Sequence, residues 1–233
     1  RCLADQDVNI FMITTSQIKI SALVAREQAE FAIHTVHRKF ELEQASQPDR
    51  QAESPAITPI ADSAEAANRL HDMEELSITD IGLDQSQASI SIQYIPDTPG
   101  VAAMIFDATA EAGIVVDMII QSYLDQDNIA SITLTVPRGD VKKTVNVLQQ
   151  LTSNFLGEQK IVCNPAIAIV SVTGIGMRSH TGVALRMFQA LADMEINIEM
   201  MNTSEMRVSI VVDSAEANRA EHALTQAFAD VHH

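Results

Sequence analysis

The hydrophobic positions near the start of the chain follow two different spacings. Residues 8–13 are a run rich in apolar and β-branched side chains, and residues 18–24 alternate apolar with polar positions. Both runs are predicted to be strands, separated by a polar turn at 14–17. A helix follows, because its apolar residues recur at helical spacing: Ala29, Ile33, Val36 and Phe40. A preceding helix is only hinted at, by residues 2–4.

A second set of elements follows further along the chain. Residues 78–83 and 90–95 are predicted strands, and Asp97 or Thr98 is expected to cap a helix that carries Pro99 in its first turn. Gly113 is predicted to end this helix. Two more strands (114–120 and 129–136) and a second helix (141–151) complete the set.

The C-terminal part repeats this order. A strand at 167–172 leads through a glycine-containing loop to a helix, two strands at 196–201 and 207–212 follow, and a helix ends near Phe228. Residues 160–163 are a further strand that can complete one sheet. The predicted class is α+β: ferredoxin-like βαββαβ units, each an antiparallel sheet with its helices on one face.

The chain contains an internal repeat. Residues 3–40 align with 191–228 without a gap, and 14 of the 38 aligned positions are identical, where chance gives about two or three. The middle segment aligns as well, with Gly100 opposite Gly182, Asp117 opposite Glu199 and Gln121 opposite Thr203. We therefore expect residues 1–42 to be the second half of a unit whose first half precedes it in a longer parent chain.

The intervening segment has a different composition. Residues 43–75 are rich in Gln, Ser, Ala, Asp and Glu and contain three prolines, which favours a flexible linker, either passive or regulatory. The expected organisation is a half-domain at 1–42, a linker at 43–75 and whole domains at 76–159 and 160–229.

Charge and composition exclude several classes of partner. The formal net charge of −16 repels phosphate backbones and anionic lipid, so neither nucleic acid nor a membrane surface is an expected partner. RNA recognition on a ferredoxin-like sheet also needs stacking aromatics, and only 4% of residues are aromatic. Two cysteines, no apolar span and no signal peptide favour a cytoplasmic protein.

No catalytic constellation is visible. The sequence has no P-loop, Ser-His-Asp set or paired-cysteine zinc site, and its histidines lack metal-ligand spacing beyond one ordinary i, i+3 pair, so no metal is expected. A phosphatase on this plan would need a phosphate loop with arginine, for which Arg178 is the single candidate. We expect no catalytic residues in this chain.

Four segments resemble parts of the ACT domains of bacterial aspartokinases. Residues 87–106, with Ile-Pro-Asp-Thr-Pro-Gly-Val-Ala, resemble the first ACT domain of that family. Residues 172–184, with Gly-Met-Arg-Ser-His-Thr-Gly-Val-Ala, and 196–205, ending Thr-Ser-Glu, resemble the second. Residues 8–21 look like the tail of another second-type domain. The resemblance covers nearly everything outside the linker. The number of repeats is most similar to that of cyanobacterial aspartokinases, which carry extra ACT domains.

The resemblance implies feedback regulation by lysine or threonine. Backbone N–H groups at the helix starts near Gly100 and Gly182 can bind the α-carboxylate of an amino acid, and Asp97 can hold its ammonium group. Asn197 and Ile198 are expected to contribute hydrogen bonds from a strand edge, and Gln121 to contact a ligand hydroxyl or amine. The motif around the first helix adds further expected effector-binding residues: Thr98, Pro99, Val101 and Ala102.

By family position, the last repeat is expected to form an equivalent pocket from Met177, Val183, Ala184, Glu199, Ser204 and Glu205. Two alternatives stay open: Asp97 to Pro99 also make a good helix cap, and residues 203–205 also suit a plain hairpin turn.

The expected function is an aspartokinase regulatory region that binds lysine or threonine and forms homodimers through its ACT domains. No cofactor is expected in this chain; ATP and magnesium belong to the kinase domain, which the sequence lacks. A dimerisation module and an amino-acid sensor of a different metabolic enzyme are the alternatives.

Overall fold

The structure is a computed structural model that describes residues 1–15, 20–42, 76–124, 129–153, 159–177 and 182–232. The predicted linker at 43–75 lies outside these residues, as do Arg178 and part of the turn at 14–17. In chain order the elements are β1 (Met12–Thr15), β2 (Ile20–Leu23), α1 (Ala29–Lys39), β3 (Ser77–Asp84), β4 (Gln87–Pro96), α2 (Val101–Glu111), β5 (Ile119–Leu124), β6 (Ile129–Pro137), α3 (Val141–Thr152), β7 (Lys160–Asn164), β8 (Ile167–Ile175), α4 (Gly182–Asp193), β9 (Met200–Thr203), β10 (Arg207–Asp213) and α5 (Ala217–Ala227).

The second unit is a complete ferredoxin-like domain with the chain order β4-α2-β5-β6-α3-β7. Its four antiparallel strands lie in the order β5-β6-β4-β7, which places the first and third strands of the unit at the centre of the sheet. Alternate residues of β4 and β6, such as Ile90 and Leu134, pack with Ile105 of α2 and Leu148 of α3 in a single core. Burial of these alternating positions fixes the register, since a slip of one residue would expose the whole set.

The third unit has the same plan, but its fourth strand comes from earlier in the chain. Its sheet has the order β3-β8-β10-β9, and β3 occupies the place that β7 has in the second unit. Ile78 of β3 is fully buried in the core of this unit, beside Phe228.

The expected division into contiguous units at 76–159 and 160–229 is corrected in this respect. Strand β7 pairs with β4 in the second sheet, while β3 pairs with β8 in the third. This pairing has a simple physical reason. In each sheet one central strand, β4 or β8, has an edge that needs a neighbouring strand, and the apolar face of β3 fits the core of the third unit. A single boundary between two contiguous domains therefore does not describe how β3 and β7 pair.

The N-terminal half-unit, residues 1–42, consists of the β1–β2 hairpin and α1, preceded by one 3-10 turn at Ala4–Gln6 where the sequence hinted at a helix. Its small core contains Leu3, Val8 and Ala32.

The strand after the first helix of each repeat begins later than predicted. Predictions of 8–13, 114–120 and 196–201 compare with β1, β5 and β9, which begin at Met12, Ile119 and Met200. In the second unit the side-chain hydroxyl of Thr135 accepts the N–H of Met118 at 2.9 Å, so a side chain replaces a backbone partner there. Single backbone hydrogen bonds still join the residues just before each strand to the neighbouring strand, from Phe11 to Leu23, from Asp117 to Thr135 and from Glu199 to Val211, but these residues lie outside the regular ladder.

Two hydrogen bonds through Thr15 and one apolar contact join the units where their sheets meet. Thr15 at the end of β1 donates its hydroxyl to the carbonyl of Asp117 (3.1 Å), and Asn202 of β9 donates to the carbonyl of Thr15 (2.6 Å). Met118 also packs with Ile167, Ile169 and Val211 on the helix-free face of the third sheet. Within the described residues, no helix combines the length and apolar character needed to cross a bilayer.

Candidate functional site

A cavity of about 170 Å³ lies between the half-unit and the second unit. One wall comes from the loop and first turn that lead into α2, and the other from the extended segment before β1. The lining residues that matter for recognition are Asn9, Ile10, Asp97, Thr98, Pro99, Gly100, Val101, Ala102 and Gln121. Seven of the predicted effector-binding residues therefore share one cavity: Asp97, Thr98, Pro99, Gly100, Val101, Ala102 and Gln121.

A β-bulge at the end of β4 aims the chain at this cavity. The pairing with β6 is regular to Ile92 and resumes at Ile95, and Tyr94 between them has a positive φ of 62°. A bulge bends its strand and re-aims the residues that follow. Pro96 ends β4, and Pro99, whose ring fixes φ, lies in a turn that the N–H of Val101 closes by donating to the carbonyl of Thr98 at 3.3 Å.

The predicted helix cap does not form. The N-cap position of α2 is Gly100, and no side chain caps the helix there. The carboxylate of Asp97 instead accepts a hydrogen bond from the side-chain amide of Asn9, at 3.3 Å. This corrects the alternative in which Asp97 or Thr98 caps the helix, and it leaves the Asp97 carboxylate on the wall of the cavity.

Glycine at position 100 is required by the backbone. Its φ of 98° lies in the left-handed region, where a side chain is strained, and a Cβ there would meet that of Ala4 at 3.7 Å. That contact distance is ordinary, so the backbone conformation and not a close approach requires glycine here. The N–H of Val101 donates to the carbonyl of Thr98, while the N–H groups of Ala102 and Ala103, which also line the cavity, have no intrahelical acceptor and lie at the positive end of the helix dipole.

Gln121 links the two walls and keeps one polar atom available. Its side-chain amide nitrogen donates to the carbonyl of Ile10 at 2.8 Å. Its Oε1 atom is buried and has no hydrogen-bond partner within the described residues. A buried acceptor without a donor is costly, so this atom favours a ligand that supplies an N–H or O–H group.

The arrangement suits a small zwitterion. The α2 start offers donors to a carboxylate, Asp97 offers a carboxylate to an ammonium group, and Gln121 offers an acceptor at a third point. Arg1 pairs with Asp107 at 3.1 Å, and both residues are among those that line the cavity. In the described part of the chain, no group of three or more His, Cys, Asp or Glu side chains could hold a metal ion.

The nine predicted residues of the third unit do not come together in this way. Met177 and Val183 are buried in the apolar core, and Ile198 packs against it. Gly182, Asn197 and Glu205 are exposed, and Ala184 is half-buried.

Two further predicted residues of the third unit make local contacts. The carboxylate of Glu199 accepts a hydrogen bond from Asn164 at 3.4 Å. Ser204 closes the β9–β10 turn by accepting the N–H of Arg207 at 3.0 Å, as the plain-turn alternative describes.

Asn9 and Ile10 are the site residues that sequence reasoning missed. They align with Asn197 and Ile198, to which the strand-edge role was assigned. The repeat therefore contained the signal, but the choice between two equivalent Asn-Ile pairs depends on which copy lies beside the start of α2. The structure places Asn9 and Ile10 there.

The fold and the cavity together define a class: paired ferredoxin-like units with a small cavity between neighbours, mostly apolar in its lining but with a few polar groups. A family model described as ACT domain matches residues 1–40, 88–151 and 170–228. The chain belongs to the ACT domain family, and its regions correspond to the ACT domains of aspartokinases.

Curated relatives support this assignment. The aspartokinase of Pseudomonas aeruginosa is 42% identical over 156 residues, which are 67% of this chain and 37% of the relative. The aspartokinase of Thermus thermophilus is 39% identical over 153 residues, again 37% of the relative. The aligned part of this chain thus spans little more than a third of the length of these curated relatives.

Solved structures extend the similarity to almost the whole chain. Aspartate kinase from Synechocystis superposes with a TM-score of 0.77 at 37% identity, covering 98% of this chain and 36% of that one. The regulatory subunit of aspartate kinase from Thermus thermophilus gives a TM-score of 0.62 at 37% identity and is covered to 99%. The chain is therefore similar in sequence and fold to aspartate kinase regulatory regions.

Proposed function

We propose that this chain is the allosteric regulatory region of an aspartate kinase and binds lysine, threonine or both to inhibit phosphorylation of aspartate. Binding would favour a domain arrangement in which the kinase is inactive, which requires different affinities in the two arrangements. ATP and magnesium would be bound by the kinase part of such an enzyme. A cytoplasmic location and homodimer formation through the ACT domains belong to the same proposal.

The observation that carries the proposal is the cavity between Asp97 and Gln121. It combines a carboxylate, the start of a helix and a buried acceptor within about 170 Å³. Threonine would supply its hydroxyl, and lysine its side-chain ammonium, to Oε1 of Gln121. Both amino acids suit the other two contacts equally, so the side-chain contact decides between them.

Calorimetric titration of the chain with each amino acid tests the proposal. Asp97→Ala should weaken binding about tenfold or more, because a charge-assisted hydrogen bond to the ammonium group is lost. Gln121→Leu should weaken binding of the preferred amino acid more than that of the other. Asp193→Ala, on an exposed residue at the end of α4, is the control and should leave binding unchanged. Unchanged titrations in both cavity variants would refute the site.

A dimerisation module is the second candidate, favoured by the edge strand β7, in which Lys160, Val162 and Cys163 are exposed. Sedimentation with and without lysine and threonine distinguishes the candidates. A chain that only dimerises would give the same sedimentation coefficient and no heat in both titrations. The identity of the attached enzyme, aspartate kinase or another, is tested by whether a fused kinase part responds to the amino acid.

A further inference from the structure

A second cavity, of about 330 Å³, lies on the helix-free face of the third sheet. It is lined by all three units: Thr15 from the half-unit, Asp117 and Met118 from the second unit, and Ser171, Ser209 and Arg207 from the third. The hydrogen bonds of Thr15 to Asp117 and of Asn202 to Thr15 hold its walls together. This cavity shares no lining residue with the first one.

Arg207 supplies an unused positive charge to the second cavity. Its Nε atom donates to the hydroxyl of Thr173 at 3.1 Å, which fixes the orientation of the guanidinium group. Within the described ranges, Arg207 forms no ion pair with a carboxylate, although acidic residues outnumber basic ones by 31 to 15 in the chain. A half-buried guanidinium with free N–H donors favours a bound carboxylate or similar anion.

Two nearly buried hydroxyl groups add a second donor. Ser171 and Ser209 are 9% and 8% exposed, and their Oγ atoms lie 2.8 Å apart. One hydrogen bond between them uses one hydroxyl proton, so the other proton needs a different acceptor. No described residue accepts it, and both side chains line the cavity. An acceptor group of a ligand would satisfy this proton.

Residues of the opposite charge are also present: Asp84 and Asp117 line the same cavity. Oδ1 of Asp84 accepts hydrogen bonds from the N–H and the hydroxyl of Ser86, which leaves its Oδ2 for a ligand. Both carboxylates would repel a multiply charged anion such as phosphate, and the net charge of −16 adds to this repulsion. A molecule that carries both a carboxylate and an ammonium group satisfies both sets of side chains.

We propose that the second cavity is an additional binding site for a free amino acid. The carboxylate of the ligand lies at Arg207 and the Ser171–Ser209 pair, and its ammonium group faces Asp84 and Asp117. This site goes beyond the proposed function, because it is formed by different residues and does not require binding in the first cavity.

Calorimetric titration with lysine and with threonine tests the second site. We expect two binding events per chain for at least one of the two amino acids. Arg207→Gln removes the charge but can keep the hydrogen bond to Thr173, and it should weaken one event about tenfold or more while the other is unchanged. Asn9→Ala should have the converse effect. Arg38→Gln, on the exposed side of α1, removes the same charge elsewhere and should change neither event.

Ser209→Ala provides an independent variant, in case Arg207→Gln reduces the folded fraction measured by circular dichroism. It should weaken the same event as Arg207→Gln. The proposal is overturned if the second event is missing, if both cavity variants leave it intact, or if acetate alone displaces the amino acid at equal concentration. A single event that is lost in Asn9→Ala would leave the proposed function standing without the second site.

Discussion

The half-unit and the third unit carry nearly the same sequence in very different surroundings. Phe40 is 67% exposed, whereas its equivalent Phe228 is completely buried. Ile20 is 74% exposed and its equivalent Val208 only 6%. The third unit covers these positions with β3, β8 and α4, and residues 1–42 have a counterpart only to the last residues of α4. The repeat thus specifies which side chains are apolar, and the rest of the unit determines whether they are buried.

At the residues of the first cavity the two copies differ in the opposite sense, because the half-unit's residue makes the contact and the third unit's residue is exposed. Asn9 bonds to Asp97 in the first cavity, whereas the equivalent Asn197 is exposed. The less complete copy is therefore the one that contributes to the site. Its residues before β1 lie against the second unit, where Gln121 donates to the carbonyl of Ile10.

The largest contrast is expected for the two phenylalanines. Phe228→Ala should lower the free energy of unfolding by about 3–5 kcal/mol, since it opens a cavity in a packed core. Phe40→Ala should lower it by less than about 1 kcal/mol, because most of its surface is already exposed. Urea denaturation followed by circular dichroism measures both. Equal losses would show that Phe40 is covered in solution, which would break the comparison.

The next largest contrast is expected for substitutions at the two glycines that lie at helix starts, Gly100 and Gly182. Gly100→Ala forces a side chain into the left-handed region and should cost about 1 kcal/mol or more, as well as weakening amino-acid binding. Gly182→Ala should change stability by no more than about 0.5 kcal/mol, because Gly182 is exposed and a Cβ there meets no atom within 4 Å. Thermal unfolding and calorimetry of both variants provide the test. A Gly182→Ala variant that loses binding would move the site to the third unit.

The two asparagines give a smaller contrast in affinity. Asn9→Ala removes the partner of Asp97 and should weaken amino-acid binding about three- to tenfold. Asn197→Ala should leave binding unchanged, in contrast to the expectation from sequence. Titration of each variant with lysine and threonine measures the difference. If Asn197→Ala has the larger effect, the copies have been assigned to the wrong roles.

The smallest effect on stability is expected for the Arg186–Asp230 ion pair, which lies over the ring of Phe228. Arg186 lies 5.0 Å from the centre of its ring and hydrogen-bonds Asp230, which lowers the pKa of that carboxyl below its ordinary value of 3.8. Because the pKa is lower in the folded state, this pair stabilises the fold above the unfolded pKa, and the contribution is lost as pH falls through the folded value. The position equivalent to Asp230 in the half-unit is Leu42.

Denaturation midpoints of the chain and of Asp230→Asn should therefore differ slightly at neutral pH and converge as the pH falls below about 3.8. Asp193→Asn is the charge-matched control. A difference that grows towards acid pH would contradict the direction of the pKa shift.

Much of the fold follows from local sequence. The periodicity of residues 141–151 predicted α3 to within one residue, and Gly113 ends α2 with a positive φ of 64° as expected. Asp7 and Glu195 occupy the equivalent positions with φ values of 56° and 57°, so all three repeats reverse direction after a helical segment in the same way. These features depend on a few neighbouring residues, which the sequence displays directly.

The site was predictable in part for the same reason. The motif from Asp97 to Ala102 lines the first cavity, but capping competed with ligand binding as its explanation. The absence of a side-chain cap and the bond from Asn9 became visible only in three dimensions. The Ser171–Ser209 pair had no sequence signal, since two serines on paired strands meet only through the register of β8 and β10.

The sequence by itself determined the repeat, the type of nearly every element and the apolar face of each, because these depend on spacing along one chain. The tertiary structure decided that β3 and β7 serve different sheets and that Asn9 rather than Asn197 meets the start of α2. Identical local signals cannot distinguish equivalent copies. The choice is made by which edges and apolar faces are still uncovered when the units pack together.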